Sequence, residues 1–187
     1  LEPLLSSMLD YNLAGMIVTS DTPPAAVTEE CQRLRGPVVL INRNPGSNGG
    51  DRIQLDPDTA AEIVFDMLYA AGARRFAVLR PKDRTFTVIG RVNSFCELVH
   101  ARGMPCQVMP CDGQSFEAGR DAMRRHEATL RSCDGLFAAN DLLACGALDG
   151  LRGDLGLRVP QDIAVVGFDD IEQASWASYD LSTVRQD

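Results

Sequence analysis

The chain has 187 residues, 45% of them hydrophobic and 24% charged, with a formal net charge of −8. That length can bury a substantial core in one domain or two small lobes, and the composition is that of an ordinary soluble globular protein. The acidic balance opposes non-specific binding to nucleic acid or to an anionic membrane, and no apolar run approaches the ~20 residues of a membrane helix.

Taken in chain order, the hydrophobic pattern alternates between helix and strand. Leu4 to Asp10 reads as a helix, followed by a strand at Gly15–Val18. Pro24 to Leu34 reads as a second helix, opened by two prolines and closed near Gly36, and Pro37–Ile41 as a buried strand. Asn44 to Gly50 is a polar loop of turn-forming residues,. A short strand is expected at Ile53–Leu55, then a helix over Pro57–Ala71 stopped by Gly72. Phe76–Leu79 predicts a strand, Val88–Ala101 a helix ended by Gly103, Gln107–Met109 a strand, and Phe116–Leu130 an amphipathic helix. Gly135–Ala139 is a strand leading into Asn140 and a helix over Asp141–Arg152. Ile163–Val166 is an apolar run without alternation, suited to a parallel strand covered on both faces,. Leu181–Val184 closes the pattern as a last strand. Such alternation predicts an α/β fold with a mostly parallel sheet and helices on both faces. Leu1 begins within a helical stretch and Asp187 directly follows a strand, so a fragment of something longer is expected.

The six cysteines are Cys31, Cys96, Cys106, Cys111, Cys133 and Cys145, and none forms a Cys-x-x-Cys pair. Cys133 and Cys145 sit in apolar surroundings, where a thiol is usually a small core residue, and reduced thiols fit a cytoplasmic protein. With only His100 and His126 besides, no metal or other cofactor is expected; His100 falls late in a helix, where it suits the negative end of the dipole,.

The strand at Ile163 ends in Gly167-Phe168-Asp169-Asp170, with Gly167 expected to make the turn. In an open parallel sheet the carboxyl edge is where small ligands bind. Asn140 follows the preceding strand, so two strands deliver Asn and Asp to one rim, an arrangement suited to a polyhydroxylated ligand. Asp169 can accept two vicinal hydroxyls at once, or it can cap the next helix; the ligand role is favoured for Asp169 and the cap for Asp170. Asn140 can contact a ligand, cap the following helix, or do both.

Three ordered segments carry a family resemblance: Asp134-Gly-Leu-Phe-Ala-Ala-Asn-Asp141, Arg158-Val-Pro-Gln-Asp-Ile-Ala-Val-Val-Gly-Phe-Asp-Asp170 and Leu181-Ser-Thr-Val-Arg-Gln186. Together with Asp56, Gly72-Ala73-Arg74-Arg75 and Arg91-Val92-Asn93-Ser94-Phe95, they resemble the effector-binding core of the lactose-repressor/galactose-repressor (LacI/GalR) family of bacterial transcription regulators. The chain departs from the family pattern at Pro57, Ser94 and Asp180. The resemblance implies two Rossmann-like lobes of the type I periplasmic-binding-protein-like fold around a cleft, incomplete at both ends. It assigns residues 1–72 to the N-terminal lobe, 73–185 to the C-terminal lobe and 186–187 to a return crossover. It also implies a small-molecule effector, a sugar by preference, contacted by Asp169, Asn140 and Arg91. Phe116 would stack on the effector, or instead staple its own helix; Thr87 and Gln186 would add polar contacts. Operator DNA would be bound through a helix-turn-helix absent from this chain, and the regulator would be a homodimer. Effector binding would favour one orientation of the lobes.

The alternative within the same fold is a periplasmic sugar-binding protein of a transporter. An enzyme is not expected: there is no Gly-x-Gly-x-x-Gly after a strand, no phosphate-binding Gly-x-x-x-x-Gly-Lys loop and no Gly-x-Ser-x-Gly elbow. Asp169 and Asp170 are chain neighbours rather than a facing acid/base pair.

Overall fold

The computed structural model describes residues 14–19, 37–42, 51–82 and 86–186. The helices expected at Leu4–Asp10 and Pro24–Leu34, the loop Asn44–Gly50 and Cys31 lie outside the described residues. The chain divides into two compact units, one formed by residues 1–55 with 85–87, the other by 56–84 with 88–187.

The first unit holds three parallel strands in the order β1-β2-β3: β1 (Met16–Val18), β2 (Val38–Ile41) and β3 (Asp51–Ile53). Val18, Val38 and Leu40 bury together, with Met16 against them. β3 begins and ends two residues earlier than the apolar pattern suggests: it pairs with β2 from Asp51 to Ile53, and beyond it the Leu55 N–H donates to the Asn42 side chain (3.3 Å).

In the second unit the elements are α1 (Pro57–Ala70), β4 (Phe76–Pro81), α2 (Phe86–Ala101, whose first two residues group with the first unit), β5 (Cys106–Cys111), α3 (Phe116–Arg125), α4 (Glu127–Leu130), β6 (Gly135–Ala138), α5 (Asp141–Asp149), β7 (Ala164–Asp169) and β8 (Ser182–Arg185). All five strands run parallel in the order β5-β4-β6-β7-β8. The order reverses at β4, so the sheet has a switch point between the carboxyl ends of β4 and β6.

Each helix has a local cause. α1 starts at Asp56, whose carboxylate accepts the Asp58 N–H (3.2 Å) and the Thr59 hydroxyl (2.5 Å), with Pro57 at the first helical position, where no N–H is needed,. Ala60, Ala61, Val64, Phe65 and Leu68 form its buried face, and Gly72 (φ 99°) ends it in a left-handed conformation,. α3 is capped by Ser115 and α5 by Asn140. The single helix expected over Phe116–Leu130 breaks at His126 into α3 and α4. The one expected over Asp141–Arg152 widens at Gly150 into a π-helical turn through Asp154.

An aromatic row ties one face of the sheet to its helices: Phe65 of α1, Phe76 of β4, Phe95 of α2 and Phe137 of β6, with successive ring centroids 5.5, 6.0 and 5.1 Å apart. Such pairs add ~0.5–1.5 kcal/mol each beyond burial of their area. α1 groups with the second unit because its buried face lies on β6, β7 and β8.

α3 and α5 lie close together on α5's glycine. A Cβ on Gly146 would overlap the Phe116 carbonyl oxygen, and one on Gly119 would overlap that of Leu143. The crossing fixes the start of α3 beside α5.

Among the described residues no helix is long and apolar enough to cross a membrane, and no group of three or more His, Cys, Asp or Glu could hold a metal ion.

Candidate functional site

The carboxyl rim of the five-stranded sheet collects the side chains in question. Arg91, in the second turn of α2, is only 4% exposed. Its Nη1 donates to the Ala139 carbonyl just past β6 (3.0 Å) and pairs with Asp169 Oδ1 at the end of β7 (3.4 Å). The guanidinium lies over the Phe168 ring, 3.9 Å from its centroid, a cation–π contact inside a desolvated site,. Arg91 Nε is buried and has no hydrogen-bond partner among the described residues. One arginine therefore spans the switch point and reaches the next strand, with a donor left over.

Asp169 keeps 34% of its side chain exposed. Its Oδ1 accepts from both Arg91 and Gln186 Nε2, while Oδ2 has no partner among the described residues. Burial raises its pKa above the usual carboxylate value, and the attraction of Arg91 opposes the rise,. Burial likewise pulls Arg91 below its ordinary value against the pull of Asp169. Each charge is desolvated more than its partner repays, so the pair is held by the fold rather than holding it.

The turn after β7 is made by Asp169 (φ 117°) and Asp170 (φ 58°). Positive φ at two consecutive non-glycine residues is strained, and such strain gathers at functional sites. Gly167, expected to make this turn, lies inside β7 instead; its missing side chain leaves room for the Asp141 carboxylate, which a Cβ would overlap. Asp141 is fully buried. Its Oδ1 accepts the Thr183 hydroxyl (2.6 Å) and its Oδ2 the Ile171 N–H (3.0 Å). The same hydroxyl accepts the Asp170 N–H (3.4 Å). Asp141 thus pins the strained turn from beneath, a role the sequence pattern alone did not assign. The signal was present in the Asp141…Gly167…Thr183 combination, but the three meet only through the sheet.

Asn140 caps α5: its Oδ1 accepts the Leu143 N–H (2.8 Å), and its Nδ2 faces the Gln114 carbonyl and side-chain oxygens (3.3 and 3.4 Å). Phe116 is half-buried at the first position of α3, after Ser115, so it does not occupy the staple position that precedes a helix cap,. Thr87 is half-buried in the first turn of α2, one turn before Arg91. Among the described residues the Asp170 side chain caps nothing: the 3₁₀ turn Glu172–Ser175 begins at Ile171 without a side-chain cap, which corrects the expected role. The structure brings Arg91, Asp169 and Gln186 into direct contact, and sets Asn140 one residue beyond the Ala139 carbonyl that Arg91 holds.

Residues 65–187 match the family model described as a periplasmic binding protein-like domain. The chain belongs to that family. Curated proteins similar to it include transcriptional regulators. It is 26% identical over 183 residues to the ribose operon repressor of Bacillus subtilis (strain 168), covering 97% of this chain and 54% of the relative. It is 29% identical over 184 residues to the HTH-type transcriptional repressor MelR of the same organism, covering 92% and 52%. The chain spans about half the length of the curated relatives it matches. Among solved structures, the transcriptional regulator CelR–cellobiose complex aligns with a TM-score of 0.84 at 26% identity, over 99% of this chain and 57% of that one. A LacI family transcriptional regulator from Enterococcus faecalis V583 with bound ribose aligns at 0.81 and 20% identity, over 99% and 67%, which shows the shared fold. The resemblance to LacI-family repressors is thereby shown, and the relatives favour a regulator over a transporter's binding protein.

Proposed function

We propose that this chain is the effector-sensing part of a bacterial DNA-binding transcriptional regulator, and that its rim binds a small polyhydroxylated molecule, a sugar. The observation that carries this is the Arg91–Asp169 pair at the switch point of a parallel sheet: a guanidinium holding a part-exposed carboxylate whose second oxygen has no partner among the described residues. A free carboxylate oxygen accepts hydroxyl hydrogens and a guanidinium N–H donates to a hydroxyl or ring oxygen, so the pair matches both faces of a sugar's hydrogen bonding. The half-buried Phe116 and Gln186 add to the proposed contacts. The protein acts in the cytoplasm as a homodimer and carries out no catalysis; ligand differences between conformations shift the population that binds operator. With a net charge of −8 this chain itself offers no phosphate-binding stripe, so operator contact belongs to a helix-turn-helix part of the regulator,.

The test is a thermal-shift screen of the regulator against pentoses, hexoses, disaccharides, sugar phosphates and purines, followed by titration of the best ligand into wild type and Asp169→Asn. Asparagine keeps an Oδ1 acceptor for Arg91 and Gln186 but replaces the free oxygen by a donor. Loss of one charge-assisted hydrogen bond, ~1.5–3 kcal/mol, lowers affinity roughly tenfold or more. Unchanged affinity in Asp169→Asn removes the ligand role of the rim, and stabilisation by purines alone removes the sugar.

A further inference from the structure

We propose that Cys96 and Cys106 are a thiol-oxidation site that closes to a reversible disulfide between α2 and β5. Their sulfurs lie 3.6 Å apart, Cys106 donating to Cys96. Both side chains are half-buried, so a small oxidant reaches them, whereas Cys111, Cys133 and Cys145 are buried. The connection between them is short and fixed: Gly103 (φ 72°) turns the chain, its N–H bonds the His100 carbonyl (2.9 Å), and Met104 N bonds Val99 O (3.1 Å). Phe76 N then takes the Pro105 carbonyl (2.9 Å), which sets Cys106 at the start of β5. The sulfurs have to close by roughly 1.5 Å to reach bonding distance, within the reach of side-chain rotation.

The two thiols are not equivalent. The hydrogen bond from Cys106 lowers the Cys96 pKa, burial opposes this, and the Arg80 charge lowers it further. Cys106 is pushed well up by the same bond and by burial. Cys96 is therefore the attacking sulfur and Cys106 the resolving one. With hydrogen peroxide as the two-electron oxidant, the Cys96 thiolate attacks one peroxide oxygen, the O–O bond breaks, and the departing hydroxide is protonated to water, leaving a sulfenic acid. The Cys106 sulfur then attacks Cys96 Sγ and the S–O bond breaks. The hydroxide leaves with the Cys106 proton as a second water. Two thiols are oxidised and one peroxide is reduced. Cys133 is the third thiol nearby, but its Sγ points to the Phe76 carbonyl (3.8 Å) and it is buried.

The experiment treats the full chain with graded hydrogen peroxide, blocks remaining thiols under denaturing conditions, and maps tryptic peptides by mass spectrometry with and without dithiothreitol. The expected result is loss of two thiols and a cross-link between peptides 92–102 and 103–120, which dithiothreitol reverses. Fragmentation must place the bond at Cys106 rather than Cys111, and Cys111→Ala must retain it. Cys96→Ala and Cys106→Ala abolish the cross-link while Cys133→Ala keeps it, each variant first checked for an unchanged melting transition. The wild-type map decides the matter even if a variant does not fold. A bond elsewhere, or Cys96 driven to sulfinic acid with Cys106 still free, overturns the proposal.

Discussion

Two aspartates at neighbouring positions of the same sheet edge have opposite environments. Asp141 is fully buried, and both of its oxygens are committed, to the Thr183 hydroxyl and to the Ile171 N–H. Asp169 stays a third exposed, holds Arg91 and Gln186 on one oxygen, leaves the other open, and sits on strained backbone. The difference separates an acid that builds the site from one available to a ligand. A satisfied buried carboxylate stabilises; a partly satisfied, desolvated one costs stability and keeps capacity for binding.

The largest effect that would break this contrast comes from Asp141→Ala. Two hydrogen bonds to a charged group are lost, each worth ~1.5–3 kcal/mol, and the Ile171 N–H and Thr183 hydroxyl lose their acceptor. Denaturant unfolding is expected to show a loss of about 3 kcal/mol or more. If stability barely changed while ligand affinity collapsed, Asp141 would be a ligand residue and the contrast would fall.

Next is Gly167→Ala, whose new Cβ overlaps Asp141 Oδ1. Overpacking of this kind costs ~1–3 kcal/mol. In the Asp141→Ala background the added methyl no longer meets the oxygen, only the Leu181 and Ala144 side chains at 3.1 and 3.2 Å, so the double mutant should lose less than the sum of the single ones. Strict additivity in a double-mutant cycle would mean that the glycine serves something other than the carboxylate.

A smaller effect tests Asn140, which stands between the two roles. Asn140→Ala removes the α5 cap and is expected to cost ~1 kcal/mol of stability. Asn140→Asp restores the cap oxygen but not the amide donors that face Gln114. Recovery of the melting temperature without recovery of ligand affinity would place the amide nitrogen at the ligand, whereas recovery of both makes Asn140 a cap alone.

These contrasts also mark what the chain discloses when read as a string. The parallel strands were legible because Phe76–Leu79, Gly135–Ala139 and Ile163–Val166 are short apolar runs in a helix–strand alternation, and Ile163–Val166 lacks the polar alternation of a half-exposed strand. Asn140 was legible as a helix start because capping is local, whereas the caps Asp56 and Ser115 emerge only from the structure. Asp169 and Asn140 were readable as rim residues from strand direction, and Arg91 from resemblance. The roles of Asp141 and Gly167 were not readable, since they depend on which strand lies beside which. The same holds for the meeting of Cys96 with Cys106. Periodicity says that Ala61, Val64, Phe65 and Leu68 share a buried face; it does not say what they face.

The finest effect concerns pH and the charge on Asp169. Its pKa in the fold is raised above the unfolded value near 3.8, burial being the main cause. A raised carboxyl binds its proton more tightly in the native state, so the associated stability is present below the unfolded pKa and is lost as pH rises through the folded one. Wild type therefore carries a cost at neutral pH that Asp169→Asn lacks. Because the asparagine still offers Oδ1 to Arg91, the guanidinium is not stripped of its acceptor. The stability of Asp169→Asn relative to wild type should consequently increase as pH is raised from about 3 to 7, read as the difference between two denaturation midpoints at each pH. Asp162, whose pKa Arg158 lowers to about 2, supplies the opposite sign as an internal control: its contribution is present above the unfolded value and is lost as pH falls toward 2. If the Asp169→Asn difference instead shrank with rising pH, the ionised Asp169 would be a net stabiliser. The two aspartates of the rim would then be doing the same job.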